Sequence, residues 1–374
     1  MRLGWRSALG ILLSAVFLWL VLRGQDLAKV WQIFSESDFA LWTACALFAT
    51  VIFPLRARRW QALLAPSYGR LPLGPLWRST AIGMMVNNVI PLRAGEVARA
   101  FALGRAEPRV RFTVAFGSLA VDRLFDGTVV LLMMLAATFA PEFPSEHTIN
   151  GIPLSSYMRP VAGFLAVILG GALMLLFAPA ITARMIDAVV GRVAPKFAPR
   201  VHALIAGFVD GLRVLQRPAL IAEVLFWTVL HWLCNAFAFW LGFRALGLVV
   251  PFSAALFLQG FIVILVAAPA APGFFGQFEL GGTVGLGLYG VQPESALAWA
   301  LGFHILSYIP ITVIGAWYLT QIRIRFADFR VPDASRAAET RAESSAEGTA
   351  EGTAEGTAEG TAEGTAEGTA EASD

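Results

Sequence analysis

The chain has 374 residues, of which 57% are hydrophobic and 14% are charged, and its formal net charge at pH 7 is +2. About a quarter of the residues of a typical soluble domain are charged, so this composition excludes an ordinary soluble protein and predicts a membrane protein with several spans. The two cysteines and four histidines are scattered without the spacing of metal ligands, so we expect no metal and no cofactor.

The first apolar run, Ser7 to Leu22, follows two arginines and has the pattern of either a signal peptide or a first membrane helix. No clear small-x-small cleavage site follows it, so we favour a retained helix. The second apolar run, Phe39 to Leu55, is expected to end near Pro54. It is followed by a basic cluster that predicts a cytoplasmic stop under the positive-inside rule, formed by Arg56, Arg58 and Arg59.

A polar stretch interrupts the next apolar run, Trp77 to Ile90, which is too short to cross about 30 Å of hydrocarbon as a straight helix. The stretch contains amides, a proline, a glycine and three charges, including Asn88, Pro91, Arg93, Gly95, Glu96 and Arg99. Proline ends a regular helix, glycine permits close backbone approach, and charges in a membrane must be paired or solvated. We therefore predict a re-entrant hairpin, with Glu96 and Arg99 paired on one helix face. The alternative is a cytoplasmic loop with solvated charges.

A second charged site lies inside the long apolar run Phe112 to Ala140. Asp122 and Asp126 are four residues apart and share a helix face, with Arg123 next to Asp122 in sequence. These charges are costly in lipid, so we expect them to face the bundle interior or a water-filled cavity. Two roles stay open, namely an ion pair through which Arg123 joins two helices, and direct handling of substrate or protons.

The second half of the chain also contains apolar runs around one interruption. Its predicted spans are Pro160 to Ala180, Ala219 to Leu246, Ser253 to Ala268 and Ser295 to Gln321. The interruption runs from Pro272 to Glu279, and its turn residues are Pro272, Gly273 and Gly276. Two interrupted segments, one in each half, are typical of transporters whose site lies between two repeats, although two coincidental loops are an alternative.

The distribution of charge predicts an orientation. Most of the 28 Lys and Arg residues fall on one side of the membrane if the N-terminus is cytoplasmic, and the C-terminus then lies on the same side. We expect an exposed loop over residues 141–159 and an amphipathic helix on the inner surface over residues 202–215. A membrane domain over residues 1–330 is expected to precede a disordered tail over residues 331–374. In that tail, Glu347 to Ala370 repeats Glu-Gly-Thr-Ala six times and has almost nothing apolar to bury.

Three motifs together resemble the lysylphosphatidylglycerol synthase transmembrane family, also described as flippase-like membrane proteins. They are Asn88-x-x-Pro91-x-Arg93-x-Gly95-Glu96-x-x-Arg99, Asp122-Arg123-x-x-Asp126 and Pro272-Gly273-x-x-Gly276-x-x-Glu279. The resemblance covers most of residues 5–325, and the first motif is its most specific part. The family usually has Glu-Arg in place of Asp122-Arg123. It usually has Pro-Gly-Gly where this chain has Pro272-Gly273-Phe274. The resemblance implies an inner-membrane protein that moves lipids or lipid-linked molecules between leaflets, without the family's separate soluble synthase domain.

We therefore predict an all-α bundle of about seven or eight spanning helices with two re-entrant or broken hairpins, acting as a flippase-like transporter more readily than as an enzyme. The predicted substrate-binding residues are Asn88, Arg93, Glu96, Arg99, Asp122, Arg123, Asp126 and Glu279, with no catalytic residues. Arg93 and Arg99 are expected to attract a phosphate head group, because arginine binds phosphate through a bidentate fork. Glu96 and Asp122 are expected to pair with Arg123 or with a cationic head group.

Two other classes of function remain as alternatives. A membrane-embedded enzyme would use Asp122 and Asp126 as acid and base, and a noncatalytic scaffold would recruit partner proteins. The expected partner of the transporter is a membrane lipid or a lipid-linked molecule and not a nucleic acid. The lipid, the driving ion and the oligomeric state are left open by the sequence.

Overall fold

The computed structural model describes residues 5–90, 94–149, 151–177, 217–267 and 272–321. These residues form an all-α fold, which confirms the predicted fold class. A small antiparallel hairpin of β1 (Thr148–Ile149) and β2 (Ile152–Pro153) joins two of the helices. The predicted tail, the predicted amphipathic helix over residues 202–215, Pro91 and Arg93 lie outside the described residues.

The described helices before the hairpin are α1 (Trp5–Leu22), α2 (Leu27–Ser35), α3 (Phe39–Tyr68), α4 (Leu73–Val89), α5 (Gly95–Ala106) and α6 (Phe112–Ala137). Those after it are α7 (Leu154–Phe177), α8 (Pro218–Ala245), α9 (Phe252–Leu265), α10 (Gln277–Gly287) and α11 (Pro293–Gln321). A short 3-10 turn, Pro272–Phe274, lies between α9 and α10. The loop expected over residues 141–159 is shorter than predicted, because α7 already begins at Leu154.

Helix α3 continues through Pro54 to Tyr68, so the prediction that the second span ends at Leu55 is wrong. A membrane helix tolerates an internal proline where neighbouring groups satisfy the freed backbone carbonyl. The continued helix carries Arg56 and Arg59 into the protein interior, where their side chains are 7% and 0% exposed. Two of the three arginines in the expected cytoplasmic cluster are therefore buried, and only Arg58 among them is exposed.

The helices from α3 to α6 and from α8 to α11 follow the same order. Each set has a long helix, two short helices separated by a break, and another long helix. The sets also pack reciprocally, because α3 lies against α8, α4 lies against α11, and α6 lies against α9. This exchange is the pattern of two repeats related by a twofold axis, and such repeats enclose a site between them in many transporters.

An aromatic core joins α8 to α11. The Trp299 ring lies 5.0 Å from the Phe239 ring and 5.1 Å from the Phe243 ring, measured between centroids. Gly242 permits this approach, since a Cβ at that position would lie 2.7 Å from Trp299 Nε1. Close packing of this kind drives helix association in membranes, where lipid offers no hydrophobic contrast.

Three of the described helices, α3, α8 and α11, are long and apolar enough to cross a membrane. Helix α6 has a similar length but carries Asp122, Arg123 and Asp126. The short helices α4, α5, α9 and α10 flank the two breaks, as the predicted hairpins require. The predicted total of seven or eight spans stays a prediction.

Candidate functional site

The first break, between α4 and α5, is closed by tight backbone packing. Asn87 Oδ1, near the end of α4, accepts a hydrogen bond of 2.8 Å from the Gly95 N–H at the start of α5. This bond satisfies one of the N–H groups that a helix N-terminus leaves unpaired. Gly95 has no room for a side chain, because a Cβ there would overlap the Gly83 carbonyl oxygen and the Asn87 side chain. Glycine at position 95 is therefore required by the contact between α4 and α5.

A buried charge cluster lies next to this break and is built by α3, α5 and α6. At its centre is Arg59, whose fully buried side chain lies between two carboxylates of α6. Arg59 Nε lies 2.6 Å from Asp122 Oδ1, and Arg59 Nη1 lies 2.6 Å from Asp126 Oδ1. The spacing of four residues puts both carboxylates on one face of α6, so a single guanidinium fits between them.

Arg99 of α5 belongs to the buried part of the cluster. Its Nη1 lies 3.3 Å from Asp122 Oδ2, and its guanidinium lies 4.2 Å from the centre of the Trp60 ring. Trp60 is oriented in turn by a hydrogen bond of 2.8 Å from its Nε1 to Ser118 Oγ. The structure thus pairs Arg99 with Asp122, which corrects the expected pair of Glu96 and Arg99.

Glu96 of α5 forms its ion pair with Arg123 of α6. Arg123 Nη1 also lies 3.5 Å from Asp126 Oδ2, so this guanidinium contacts carboxylates on two helices. The Arg123 side chain is 42% exposed, and it is the most accessible arginine among the described members of the cluster. Asp122 is paired with the two buried arginines described above and not, as one expectation had it, with Arg123.

Arg56 of α3 is the described arginine of the cluster whose nearest carboxylate oxygen is farthest away. Its Nη2 lies 3.5 Å from Asp126 Oδ2 and 3.9 Å from Asp122 Oδ2, which is longer than a normal hydrogen bond. Its Nε and Nη2 atoms are buried, and the described part of the chain offers them no hydrogen-bond partner. The described cluster holds four arginines and three carboxylates, namely Arg56, Arg59, Arg99, Arg123, Glu96, Asp122 and Asp126. It therefore has an excess of one positive charge.

A cavity of about 420 Å³ lies beside the cluster and is lined by Arg56, Glu96, Arg123 and Asp126. Its wall also includes residues next to both breaks, namely Met84, Asn87, Val266, Ala267 and Phe274. Trp232 of α8 completes the wall and donates a hydrogen bond of 3.1 Å to Asp126 Oδ1. The two breaks therefore meet at one cavity, and two arginines of the cluster, Arg56 and Arg123, lie in its wall.

The second break is closed by hydrogen bonds around Glu279, near the start of α10. Glu279 Oε2 accepts a hydrogen bond of 2.6 Å from the Gly276 N–H, and Glu279 Oε1 lies 2.6 Å from His304 Nδ1. His304 Nε2 lies 2.8 Å from the Gly273 carbonyl oxygen. Gly273 and Gly276 have φ angles of 70° and 85°, which glycine adopts without strain. Helix α11 thus holds the turn between α9 and α10 through one imidazole.

Comparison with known proteins places the chain in a family. A model of the family described as Lysylphosphatidylglycerol synthase TM region matches residues 7–315. The chain belongs to this family. A curated relative, the Glycosyltransferase AglD of Haloferax volcanii, is 26% identical over 331 residues, which cover 82% of this chain and 52% of the relative. The chain thus spans about half the length of that relative. No solved structure matches the chain.

One departure from the usual motif of the lysylphosphatidylglycerol synthase family falls on an unusual backbone conformation. Phe274 stands where the resemblance leads us to expect glycine, and its φ angle is 62°. A residue with a Cβ loses about 1–2 kcal/mol in the left-handed region, so glycine would adopt this conformation at lower cost. In this chain the Phe274 residue lines the cavity instead.

The described site residues predicted for this family member separate into three places. The structure brings together five of them in the charge cluster, namely Glu96, Arg99, Asp122, Arg123 and Asp126. Asn88 lies elsewhere, because its Nδ2 donates a hydrogen bond of 2.7 Å to Thr312 Oγ1 and ties α4 to α11. Glu279 is bound within the second break, and Arg93 lies outside the described residues.

Sequence reasoning missed Arg56, Arg59 and His304 as site residues. A usable signal existed for the two arginines, because they are three residues apart on one helix face and the carboxylates of α6 require cations from a neighbouring helix. His231 and Trp232 of α8 also surround Asp126, with His231 Nδ1 3.6 Å from Asp126 Oδ1, and no sequence pattern indicates them. Among the described residues, no group of three His, Cys, Asp or Glu side chains is placed to hold a metal ion.

Proposed function

We propose that this protein moves an anionic phospholipid or a lipid-linked phosphate between membrane leaflets, as a flippase-like transporter. The observation that carries the proposal is that Arg56 and Arg123 line the cavity where the two breaks meet, beside a described cluster that holds one more arginine than carboxylates. A buried charge is costly unless an anion compensates it, and a lipid phosphate is the anion that a membrane supplies. The cavity volume falls within the range of about 300–1,000 Å³ that is usual for ligand sites. The acyl chains would stay in the surrounding lipid.

Arg56 and Arg123 are the residues assigned to the phosphate. Both line the cavity, and Arg56 has buried donors that the described residues leave without a partner. A guanidinium offers two parallel N–H groups to one phosphate, which gives a stronger contact than a point charge. Arg99 is engaged with Asp122 and Trp60, so the role first expected for it passes to Arg56.

The proposal also includes the location of the protein. It places residues 1–330 in the cell inner membrane, with both termini and a tail over residues 331–374 in the cytoplasm. Support comes from the positive-inside rule, although the buried Arg56, Arg59 and Arg99 no longer count toward it. Exposed arginines remain on the side assigned to the cytoplasm, namely Arg58, Arg70, Arg105, Arg109 and Arg111.

A membrane-embedded enzyme is less well supported by the same geometry. A general acid or base must be free to exchange a proton with its substrate. Asp122 and Asp126 instead lie in ion pairs with Arg59 at 2.6 Å, and arginine keeps both carboxylates ionised. The Haloferax volcanii relative is named as a glycosyltransferase, but this chain spans only about half of that relative's length.

The test is lipid translocation by the full chain in reconstituted vesicles. Labelled phosphatidylglycerol and labelled phosphatidylcholine are compared by the rate at which a membrane-impermeant quencher reaches each label. Arg56→Ala should slow translocation of the anionic lipid about tenfold or more, since charge-assisted hydrogen bonds contribute about 1.5–3 kcal/mol. Arg58→Ala is the matched control, because Arg58 is exposed on the same helix and its loss should leave the rate unchanged.

Three outcomes decide the question. Faster movement of the anionic lipid than in empty vesicles, lost in Arg56→Ala, supports the proposal. No acceleration with either head group would contradict it. Conversion of the lipid into a new product would favour the enzyme, and this is checked by chromatography of the extracted lipid.

A further inference from the structure

Glu279 and His304 form a buried pair that the cavity does not use. The Glu279 side chain is 0% exposed, and His304 is 7% exposed. The two ring nitrogens of His304 both meet oxygen atoms, Nδ1 at 2.6 Å from Glu279 Oε1 and Nε2 at 2.8 Å from the Gly273 carbonyl. The imidazole is also stacked on the Phe275 ring, with 4.4 Å between centroids. His304 therefore joins α11 to the turn and to α10 at the same time.

This arrangement holds one exchangeable proton. The Gly273 carbonyl can only accept, so His304 Nε2 carries a hydrogen. His304 Nδ1 lies 2.6 Å from Glu279 Oε1. This contact requires one proton between the two atoms, bound either to the imidazole nitrogen or to the carboxylate oxygen. If that proton leaves, a lone pair on Nδ1 faces an ionised oxygen in a buried site, and the two repel each other. At a pH where a water-exposed histidine is neutral, above about 6.5, the closed break therefore binds one proton more than an open break that exposes both groups to water.

The first half of the chain contains an equivalent pair, in which the carboxylate contacts an arginine instead of a histidine. Glu96 follows the first break near the start of α5 and pairs with Arg123, which lies eleven positions after the first residue of α6. Glu279 follows the second break near the start of α10 and pairs with His304, which lies eleven positions after the first residue of α11. The two repeats thus place equivalent pairs at equivalent positions. The pair in the second repeat has an imidazole where the first repeat has a guanidinium, and an imidazole can bind and release a proton whereas a guanidinium keeps its charge.

We propose that Glu279 and His304 form a proton-binding site that closes the second break when it is occupied, and that it couples lipid movement to proton movement. The second part rests on the proposed function, since it names the coupling ion of that transporter. Release of the proton frees the turn Pro272–Phe274 from α11, and Phe274 lines the cavity. Access to the cavity from the side of the second break then depends on protonation, whereas the first break keeps its permanent ion pair.

Among the described residues, the groups that surround His304 are Glu279, one phenol and several uncharged rings. On α11 itself the neighbouring titratable group is Tyr308, whose hydroxyl donates a hydrogen bond of 3.2 Å to the Asn88 carbonyl of α4. The other helices packed here present uncharged rings around Gly302, Phe303 and His304, namely Phe34, Trp42, Phe239 and Phe278. The ion pair of Lys29 with Glu294 lies ten positions away, near the start of α11.

The test follows hydrogen–deuterium exchange of residues 272–287 in the detergent-solubilised full chain. Exchange is measured from about pH 5 to about pH 9, a range that spans histidine titration, and is corrected for the intrinsic exchange rate. A proton that binds only the closed break favours closure at low pH, so protection should fall as pH rises. The slope should approach but not exceed tenfold per pH unit, because one proton is released.

Variants of the histidine make the test specific. His304→Lys keeps a cation over the whole range and should give a protected segment with a flat profile. His304→Gln replaces the imidazole with an amide that cannot bind a proton, so it should lose the slope of the wild type and show weaker protection. His147→Gln is the matched control, because His147 is exposed in the loop before β1, and it should keep the wild-type slope. The same slope in wild type and in both His304 variants would overturn the proton site.

Translocation of labelled phosphatidylglycerol in vesicles with an imposed pH gradient separates this inference from the proposed function. A rate that changes with the gradient in wild type, but not in His304→Lys, supports coupling. Translocation that ignores the gradient, together with a flat exchange profile, overturns the proton site and leaves the flippase proposal standing. A pH-dependent profile without any lipid movement supports the proton site and overturns the flippase proposal.

Discussion

Arg59 of α3 and Asp126 of α6 are 67 positions apart in the chain, yet Arg59 Nη1 lies 2.6 Å from Asp126 Oδ1. The same Arg59 nitrogen donates a hydrogen bond of 3.3 Å to Thr228 Oγ1 of α8, and Trp232 of α8 donates to Asp126 Oδ1 at 3.1 Å. Three helices from both repeats therefore converge on one carboxylate. Asp126 and Trp232 also line the cavity, so the cavity wall depends on the charge balance around this carboxylate.

Replacing Arg59 with alanine should strongly destabilise the protein. The substitution leaves Asp122 and Asp126 buried without their central cation, and breaking a buried ion pair from one side costs about 3–5 kcal/mol. Arg58→Ala is the control on the same helix and should change the free energy of unfolding by no more than about 0.5 kcal/mol. Unfolding by SDS in mixed micelles measures both variants. Equal stability of the two would contradict the central place of Arg59.

Replacing Gly95 with alanine should separate α4 from α5. The added Cβ would overlap the Gly83 carbonyl oxygen and the Asn87 side chain, so the hydrogen bond from Gly95 N–H to Asn87 is lost as well. Overpacking of this kind costs about 1–3 kcal/mol. The comparison is Gly287→Ala in α10, where nothing lies within 4 Å of an added Cβ and helix propensity favours alanine by about 1 kcal/mol. Opposite shifts in thermal unfolding temperature are expected for the two variants.

The charge cluster and the two breaks show how far sequence reasoning reaches. The spacing of Asp122 and Asp126 fixes a shared helix face, and the cost of charge in lipid predicts that this face is turned inward. Proline and glycine between short apolar runs predict both breaks, because their effects are local to the backbone. These parts of the fold and site follow from interactions between residues close in sequence.

The partners of the charges do not follow in that way. Arg56 and Arg59 come after a proline, and local rules end the helix there. In the structure α3 continues to Tyr68, and it places both arginines against the carboxylates of α6. Arg99 pairs with Asp122 and not with Glu96, which is nearer in sequence, because the position of α6 decides which carboxylate Arg99 contacts. Choices between two possible partners depend on tertiary packing, which the spacing of residues in one helix does not contain.

Replacing Phe274 with glycine should stabilise the second break more than replacing it with alanine. Both substitutions remove the ring, so the difference between them isolates the backbone effect of a φ angle of 62°. Glycine enters this region freely, and a residue with a Cβ is less stable there by about 1 kcal/mol or more. The free energies of unfolding of the two variants, measured under identical micelle conditions, should differ by that amount. Greater stability of the alanine variant would show that the turn relaxes away from this conformation.

Exchanging the charges of Glu96 and Arg123 distinguishes the transporter from a scaffold. Each single reversal, Glu96→Arg or Arg123→Glu, places like charges together and should lower thermal stability. The double exchange restores the pair but puts a new carboxylate beside Asp126, whose Oδ2 now lies 3.5 Å from the Arg123 guanidinium. Because this position is partly exposed and screened, we expect about half of the lost stability to return, as a double-mutant cycle would measure.

The same double variant should not regain lipid translocation. The cavity at position 123 would then present a carboxylate to an anionic head group, and like charges repel. A scaffold, in contrast, needs only its folded shape, so its partner binding would return together with stability. Thermal unfolding and translocation of labelled phosphatidylglycerol, measured on one preparation, read the two properties separately. Recovery of both in proportion would favour a scaffold, whereas recovery of stability alone is the result expected of a phosphate-binding cavity.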